Sequence, residues 1–136
     1  MSGSRARILL VDDFAPWRQY VRTLLEEARP DLSIESEASD GIEAVKKATE
    51  IQPDLILLDI GLPKLNGIGV LRRILTISPA SKIILLTQEN PVDFMAEAIS
   101  LGAMGYVSKA SAGSDLVRAI DAVLQGQRFL MQVPNE

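Results

Sequence analysis

The 136-residue chain contains no cysteine and no histidine. The lack of cysteine excludes disulfide bonds, thiol nucleophiles and thiolate metal sites. The lack of histidine removes the most frequent general base and the most frequent zinc ligand. Any chemistry in this chain must therefore depend on carboxylates, hydroxyl groups and lysine amines. Sites rich in oxygen donors favour Mg²⁺ or Ca²⁺ over transition metals.

Aromatic residues are few, and long apolar runs and excess positive charge are missing. Aromatics make up 4% of the sequence, so aliphatic side chains must form most of the core. No apolar run approaches the ~20 residues that span a bilayer, and the polar residues 1–7 do not lead into the apolar segment of a signal peptide. We therefore expect a cytoplasmic protein with no membrane partner. The net charge of −4 argues against direct binding of nucleic acid by this domain.

Five apolar segments alternate with five segments of helical periodicity, which indicates one α/β domain. We place this domain at residues 6–126 and interpret residues 127–136 as a tail or the beginning of a linker. Phe129, Leu130 and Met131 either dock on the end of the domain or belong to that linker. The predicted strands are residues 8–11, 32–38, 55–58, 82–86 and 104–107.

The apolar patterns also predict the order of the strands. The first, third and fourth are continuous aliphatic runs, which is typical of strands buried on both faces. The second alternates apolar and polar residues, so the side with Ser33, Glu35 and Glu37 should face water, and the fifth is short and contains Gly105. We therefore expect these two at the edges. Right-handed crossovers then give a flavodoxin-like (βα)5 three-layer sandwich, with a parallel sheet of order 2-1-3-4-5.

Polar side chains follow the predicted strands at one edge of this sheet. Asp12 and Asp13 come after the first strand, Asp59 after the third, Thr87 after the fourth and Lys109 just beyond the fifth. Ligands of doubly wound sheets bind at this carboxyl edge, so we expect the five side chains to converge. Three carboxylates and one ammonium carry a charge of about −2, which one divalent cation would neutralise.

The residues at this edge resemble the motifs of a response-regulator receiver domain of two-component signalling, over about residues 6–126. Five matched positions in order make this resemblance specific, whereas each motif alone is weak. Residues 101–130 are most similar to receivers that precede LuxR-type helix-turn-helix domains. The matching stretches are ILLVDD with Asp12 and Asp13, LILLDIGLPKLNG with Asp59, Pro63 and Gly67, IILLT with Thr87, and GYVSK with Lys109.

The resemblance implies a Mg²⁺ cofactor and a nucleophilic aspartate. Asp59 would accept a phosphoryl group from a sensor histidine kinase or from a small donor such as acetyl phosphate. Asp13 and Asp59 would bind the metal directly, together with the backbone carbonyl of Gly61, and Asp12 would act largely through water. The domain would not be an enzyme beyond its own phosphorylation and dephosphorylation.

The resemblance also implies a switch. Lys109 and the Thr87 hydroxyl would contact phosphoryl oxygens, and movement of Thr87 would leave space that Tyr106 fills by turning inward. The surface of the fourth helix, fifth strand and fifth helix would then change, and a homodimer through that surface is one outcome. Control of transcription would require a DNA-binding domain that this sequence lacks, so the chain is either an excised receiver or a stand-alone one.

One position departs from the family pattern. Receivers commonly carry proline after the lysine, whereas Ala110 follows Lys109 here. A cis peptide before a residue other than proline costs about 3 kcal/mol. The geometry of the Lys109–Ala110 peptide therefore stays open at this point.

Each candidate residue also has an ordinary structural interpretation. Asp13 could be only the N-cap of the first helix, and Asp59 a turn residue at a strand end. Thr87 is a common strand residue, and lysines such as Lys109 are usually solvated. Tyr106, expected to be half-buried on an edge strand, needs no switching role. Trp17, on the first helix, is expected to serve packing.

Three other functions are compatible with parts of the pattern. A degenerate receiver would bind a partner without phosphorylation, but it would not need the full set of five residues. A haloacid-dehalogenase-type phosphatase would carry a second acid two residues after Asp59, where Gly61 stands. An FMN-binding flavodoxin is favoured by fold alone, and Asp12 and Asp13 would repel its phosphate.

Overall fold

A computed structural model describes residues 6–60, 67–88 and 92–130, except for the side chains of residues 92–94. The strands in this part of the chain are β1 (Ala6–Val11), β2 (Leu32–Ala38), β3 (Leu55–Asp59), β4 (Lys82–Thr87), β5 (Gly105–Ser108) and β6 (Phe129–Leu130). The α-helices are α1 (Ala15–Ala28), α2 (Gly41–Ile51), α3 (Gly67–Ile77), α4 (Val92–Leu101) and α5 (Ala112–Leu124). A 3₁₀ turn, Lys109–Ser111, joins β5 to α5.

The strands form one parallel sheet in the order β2-β1-β3-β4-β5-β6. This order confirms the predicted 2-1-3-4-5 arrangement and adds a short sixth strand. Phe129 and Leu130 dock beside β5, with Leu130 in register with Tyr106. The prediction that the fifth strand is an edge is therefore wrong, because the segment after α5 covers it. Met131 lies outside the described residues.

Two apolar layers enclose the sheet, as the three-layer sandwich requires. Leu9 and Val11 of β1 pack with side chains of α2, α3 and α4 on one face. Ile8 and Leu10 pack with α1 and α5 on the other. The alternation arises because successive side chains of a strand point to opposite faces. Continuous aliphatic runs in β1, β3 and β4 are thus buried on both faces, as predicted.

Strand β2 differs from its predicted pattern at one residue. The register with β1 shifts between Ile8 and Leu9, so that Glu35 is an extra residue in β2. The shift places Glu37 on the α1 face, where it accepts hydrogen bonds from Arg18 and Arg22. Glu37 was expected to face water, but these ion pairs hold it half-buried against α1.

Helix α2 begins as the sequence indicates. Asp40 is its N-cap and accepts a hydrogen bond from the Glu43 backbone N–H at 2.8 Å. The Glu43 carboxylate in turn accepts from the Ser39 backbone N–H. This hydrogen bond is the main reason why the pKa of Glu43 is lowered, with burial opposing it. Reciprocal capping of this kind sets the point at which the chain leaves β2 and enters α2.

In the described part of the chain, none of the helices has the length and apolarity needed to cross a bilayer.

Candidate functional site

Asp12, Asp59, Thr87 and Lys109 meet at the carboxyl edge of the sheet. Asp12 directly follows β1, Asp59 and Thr87 are the last residues of β3 and β4, and Lys109 is the first residue after β5. Since β1, β3, β4 and β5 are neighbours and parallel, their carboxyl ends lie side by side. The predicted convergence is confirmed for these four residues, and Gly61 lies outside the described residues.

Three carboxylates form the acidic part of the site. One oxygen from each of Asp12, Asp13 and Asp59 lies within 4.8 Å of the other two. Asp12 is fully buried, Asp59 is 6% exposed and Asp13 is exposed to solvent. The N-cap of α1 is Phe14. The alternative role of Asp13 as the N-cap is therefore wrong, and its carboxylate faces the shared site.

Asp12 is held from three directions. Its Oδ1 accepts a hydrogen bond from the Phe14 backbone N–H at 2.8 Å, and its Oδ2 accepts one from Lys109 Nζ at 2.5 Å. Its backbone carbonyl accepts a hydrogen bond from Arg18 Nη1 at 2.6 Å. A buried carboxylate is tolerated only with such partners. Asp12 therefore fixes the loop between β1 and α1 as well as contributing charge.

The Lys109 ammonium bridges two strands of the sheet. Its Nζ lies 2.5 Å from Asp12 Oδ2 and 3.4 Å from Asp59 Oδ2, and the side chain is 11% exposed. The alternative that Lys109 is simply a solvated side chain is wrong. Asp12, Asp59 and Lys109 are separated widely in sequence, and only the parallel topology brings their charges together.

A short turn directs Lys109 into the site. The described residues contain no cis peptide, so the Lys109–Ala110 bond is trans. Ser108 caps the 3₁₀ turn, because its Oγ accepts a hydrogen bond from the Ala110 backbone N–H at 3.2 Å. Proline at position 110 would lack that N–H. The departure from the family pattern is thus accommodated by a serine cap.

Thr87 and Tyr106 connect the site to the face covered by α4. Thr87 is 4% exposed at the end of β4, and Tyr106 is 1% exposed in the apolar layer that includes α4 residues. Burial raises the pKa of Tyr106, and the Thr87 side chain acts in the opposite direction. The expectation of a half-buried tyrosine is wrong, since β6 and α4 leave it enclosed. Tyr106 is thus already turned inward in this structure.

The donor set suits Mg²⁺. All three acidic side chains offer hard oxygen ligands, which this ion prefers. One oxygen from each carboxylate lies within 4.8 Å of the others, so the three side chains could share one such ion. Asp13 and Asp59 would hold the ion, with Asp12 and Lys109 beside it.

Two residues near the site carried no functional assignment from the sequence. Arg18 links the Asp12 carbonyl to Glu37 of β2. The Trp17 ring lies 5.1 Å from Lys109 Nζ. A sequence signal exists for both, since they stand within the first turns of the helix that follows the acid pair. Their partners, however, lie on other elements that are distant in sequence or in loops, so the sequence alone did not distinguish these roles from surface charge and packing.

Known proteins with similar sequences identify the family to which this acidic site belongs. A family described as "Response regulator receiver domain" matches residues 8–121. The nitrate/nitrite response regulator protein NarL of Escherichia coli K12 is 33% identical over 127 residues, covering 93% of this chain and 58% of NarL. The chemotaxis protein CheY of Thermotoga maritima is 34% identical over 117 residues, covering 86% of this chain and 96% of CheY.

A solved structure with a similar fold belongs to a related response regulator. The crystal structure of a LuxR-family two-component response regulator from Aurantimonas sp. SI85-9A1 superposes with a TM-score of 0.86 at 39% identity, covering 93% of this chain and 89% of that one. The chain spans 58% of the length of NarL, so it corresponds to part of such a regulator. With matching residues, topology and acidic edge, the chain belongs to the response regulator receiver domain family.

Proposed function

We propose that this receiver domain accepts a phosphoryl group on Asp59, in a Mg²⁺-dependent reaction with a sensor histidine kinase. The observation that carries the proposal is the position of Asp59. Its carboxylate lies at the carboxyl edge of the sheet, 3.4 Å from the Lys109 ammonium and within 4.8 Å of the Asp12 and Asp13 carboxylates. A nucleophilic oxygen, a fixed cation and a set of metal ligands are thereby brought together.

The transfer forms one bond and breaks another. An oxygen of the Asp59 carboxylate bonds to phosphorus as the bond between phosphorus and the donor breaks. The electron pair of the broken bond leaves with the donor, and Asp59 becomes an acyl phosphate. A histidine donor then takes up a proton on its nitrogen, whereas acetyl phosphate releases acetate as an anion. Lys109 and the Thr87 hydroxyl hold oxygens of the transferred group. Position and charge supply most of the catalysis in phosphoryl transfer.

The acidic cluster needs positive charge before it can accept another anion. Asp12, Asp13 and Asp59 carry about −3 and Lys109 about +1, so an incoming phosphoryl group meets a net negative site. Mg²⁺, held by Asp13 and Asp59, would offset this charge and bind phosphoryl oxygens when present. The Lys109 ammonium, 3.4 Å away, orients the Asp59 carboxylate in the meantime.

The proposed output runs through Thr87 and Tyr106. An acyl phosphate adds charge and strong acceptor oxygens next to Thr87. A shift of Thr87 toward them favours one arrangement of Tyr106 and of the surface formed by α4, β5 and α5, in a two-state equilibrium that the free protein already samples. That surface is proposed to mediate dimerisation. Control of transcription is supported by YxjL of Bacillus subtilis, which is 31% identical over 133 residues and is named a transcriptional regulatory protein. Such control would require a separate DNA-binding domain.

Phosphorylation can be tested directly on the purified protein. With MgCl₂ and acetyl phosphate, intact mass spectrometry is expected to show one added phosphoryl group in the wild type and none in Asp59→Asn. Asp54→Asn is the matched control, because Asp54 directly precedes β3, at the end opposite Asp59, where it pairs with Arg7. It is expected to accept one group, as the wild type does.

Other results would overturn the proposal in distinct ways. A wild type that takes up no phosphoryl group with Mg²⁺, yet binds a partner, would be a degenerate receiver. Sustained turnover of a simple phosphate ester such as p-nitrophenyl phosphate would indicate a phosphatase. Co-purification of a yellow, fluorescent cofactor would indicate a flavodoxin. An added group that persists in Asp59→Asn would place the acceptor elsewhere.

A further inference from the structure

Trp17 lies against the Lys109 ammonium. The ring centroid is 5.1 Å from Lys109 Nζ, on the helix that follows the acid pair. A cation within about 6 Å of an indole ring is attracted by the electrons of its face, and tryptophan is the best of the three aromatic side chains in this role. Lys109 therefore has carboxylates on one side, Asp12 and Asp59, and an indole ring on the other.

The surroundings of Trp17 limit where Lys109 can go. An open cavity of about 450 Å³ lies beside the site, and Lys109, Trp17 and Phe14 are among the residues that line it. The Tyr20 ring packs on Trp17 with a centroid distance of 5.2 Å. The indole therefore forms one wall of the open space that Lys109 can enter when it releases Asp12.

Packing alone does not explain why this residue is a tryptophan. Its Nε1–H is buried and has no hydrogen-bond partner among the described residues. A buried donor without a partner costs about 1–3 kcal/mol, and phenylalanine would fill much of the same volume without that penalty. The feature that phenylalanine would lose is the stronger attraction of the indole face for a cation.

We propose that Trp17 is a positioning residue that holds the Lys109 ammonium toward Asp59. The inference rests on the proposed phosphorylation of Asp59. When a phosphoryl group arrives, Lys109 must exchange its contact with Asp12 for one with a phosphoryl oxygen. During this exchange the indole ring keeps the ammonium at the mouth of the site. It also lowers the conformational entropy that the Lys109 side chain loses on binding the phosphoryl group, which is large for lysine. Trp17 itself touches neither donor nor acceptor.

A double-mutant cycle tests this role. The rate of phosphorylation by acetyl phosphate with Mg²⁺ is measured for the wild type, Trp17→Leu, Lys109→Met and the double variant. The strength of cation–π contacts predicts that the phosphorylation rate falls by about 2- to 30-fold in Trp17→Leu. The rate of Trp17→Phe is expected to lie between those of the wild type and Trp17→Leu. In the Lys109→Met background, Trp17→Leu is expected to have no further effect, because its action passes through Lys109.

Stability measurements separate positioning from packing. Urea unfolding of Trp17→Phe is expected to show unchanged or raised stability, since the unpartnered Nε1–H is removed, while phosphorylation slows. Phe129→Leu is a matched control, because it removes the ring beneath a cation, Arg118, at a distance from the site. It is expected to leave the phosphorylation rate unchanged.

Fluorescence provides a measurement that does not depend on phosphorylation. Trp17 is the only tryptophan of the chain, so Lys109→Met is expected to alter its emission spectrum, and Lys46→Met, at an exposed lysine, is not. The inference alone would be overturned if the wild type is phosphorylated and Trp17→Leu is phosphorylated just as fast. It would also be overturned if Trp17→Leu slows phosphorylation by the same factor with Lys109 and with Met at position 109. Absence of wild-type phosphorylation would instead overturn the proposed function.

Discussion

At the scale of single residues, buried charges in this site depend on small local contacts. Lys109 reaches Asp12 and Asp59 because the residues around it form a short, capped turn. The cap is one hydrogen bond, from the Ala110 backbone N–H to Ser108 Oγ. Side-chain caps of this type contribute about 0.5–2 kcal/mol. The position of the ammonium therefore depends on the hydroxyl that precedes it in the chain.

Loss of the Ser108 cap is predicted to destabilise the domain and to loosen Lys109. Ser108→Ala should lower the free energy of unfolding by about 1 kcal/mol, measured by urea denaturation, and should slow phosphorylation by acetyl phosphate. Ala110→Pro should cost more, because proline also disfavours the helical conformation of Lys109 before it. An Ala110→Pro variant as stable as the wild type would contradict the importance of this cap.

At the scale of elements, α1 is attached to the sheet by an ion-pair group as well as by its apolar face. Glu37 of β2 accepts hydrogen bonds from Arg18 and Arg22, and Arg18 also donates to the Asp12 carbonyl. Burial alone would raise the pKa of Glu37, but the two arginines outweigh it and the pKa is lowered. The register shift in β2 is what turns this carboxylate toward α1.

The lowered pKa of Glu37 gives a pH-dependent prediction. Its ion pairs stabilise the fold fully above the pKa of the unfolded chain, about 4.3, and this stability is lost as the pH falls through the folded value. Glu37→Gln should therefore lower the free energy of unfolding by about 1 kcal/mol at pH 7 and much less at pH 3. Denaturation at both pH values measures the difference. Equal losses at pH 7 and pH 3 would contradict this account.

Strand β6 is a second element that stabilises the sheet, because it covers the outer edge of β5. It pairs with β5 beside Tyr106, and the Phe129 backbone N–H donates a hydrogen bond to the Met104 carbonyl at 3.0 Å. The Phe129 ring also lies 5.6 Å from the Arg118 guanidinium of α5. A strand at the edge of a sheet exposes unpaired backbone groups. The segment after α5 therefore protects the part of the sheet that carries Tyr106.

Removal of β6 is predicted to expose β5 without unfolding the domain. The free energy of unfolding of a chain ending at Gln127 should fall by about 1–2 kcal/mol. The loss comes from the packing of β6 against β5 and from a few backbone hydrogen bonds between them. Hydrogen exchange of the β5 amides should accelerate, while that of the β1 and β3 amides should change little. Unchanged exchange in β5 would show that β6 does not protect it.

At the scale of the whole molecule, the fold concentrates negative charge at one edge of the sheet. Asp12, Asp13 and Asp59 come together there, and Lys109 offsets only part of their charge. Such a cluster opposes folding unless a cation binds it. A ligand that binds only the folded state stabilises it by mass action. The domain should therefore depend on divalent cations for part of its stability.

Mg²⁺ is predicted to raise the melting temperature in a concentration-dependent manner. At a Mg²⁺ concentration about 100 times the dissociation constant, the expected gain is about 2.7 kcal/mol. Asp13→Asn should remove most of this gain, because it takes away a charged ligand. NaCl at equal ionic strength controls for screening. A melting temperature that is insensitive to Mg²⁺, or equally sensitive in Asp13→Asn, would contradict the metal site.

The amino-acid pattern determined the parallel sheet, its order and the acidic edge, because aliphatic runs and the polar residues that end them are local features. Asp12, Asp59, Thr87 and Lys109 could be assigned to one edge once the order of the strands was known. Close packing also explains a local choice: a Cβ on Gly105 would lie 2.8 Å from Ile84 Cγ1 of the neighbouring strand.

Other features were decided by tertiary structure. The β2 register shift turned Glu37 inward, β6 covered the expected edge, and Tyr106 became buried. The contact between Trp17 and Lys109 joins residues from opposite ends of the chain. Each of these features depends on how loops and helices pack on the sheet. The apolar periodicity of one segment does not indicate which residues of another segment its side chains contact.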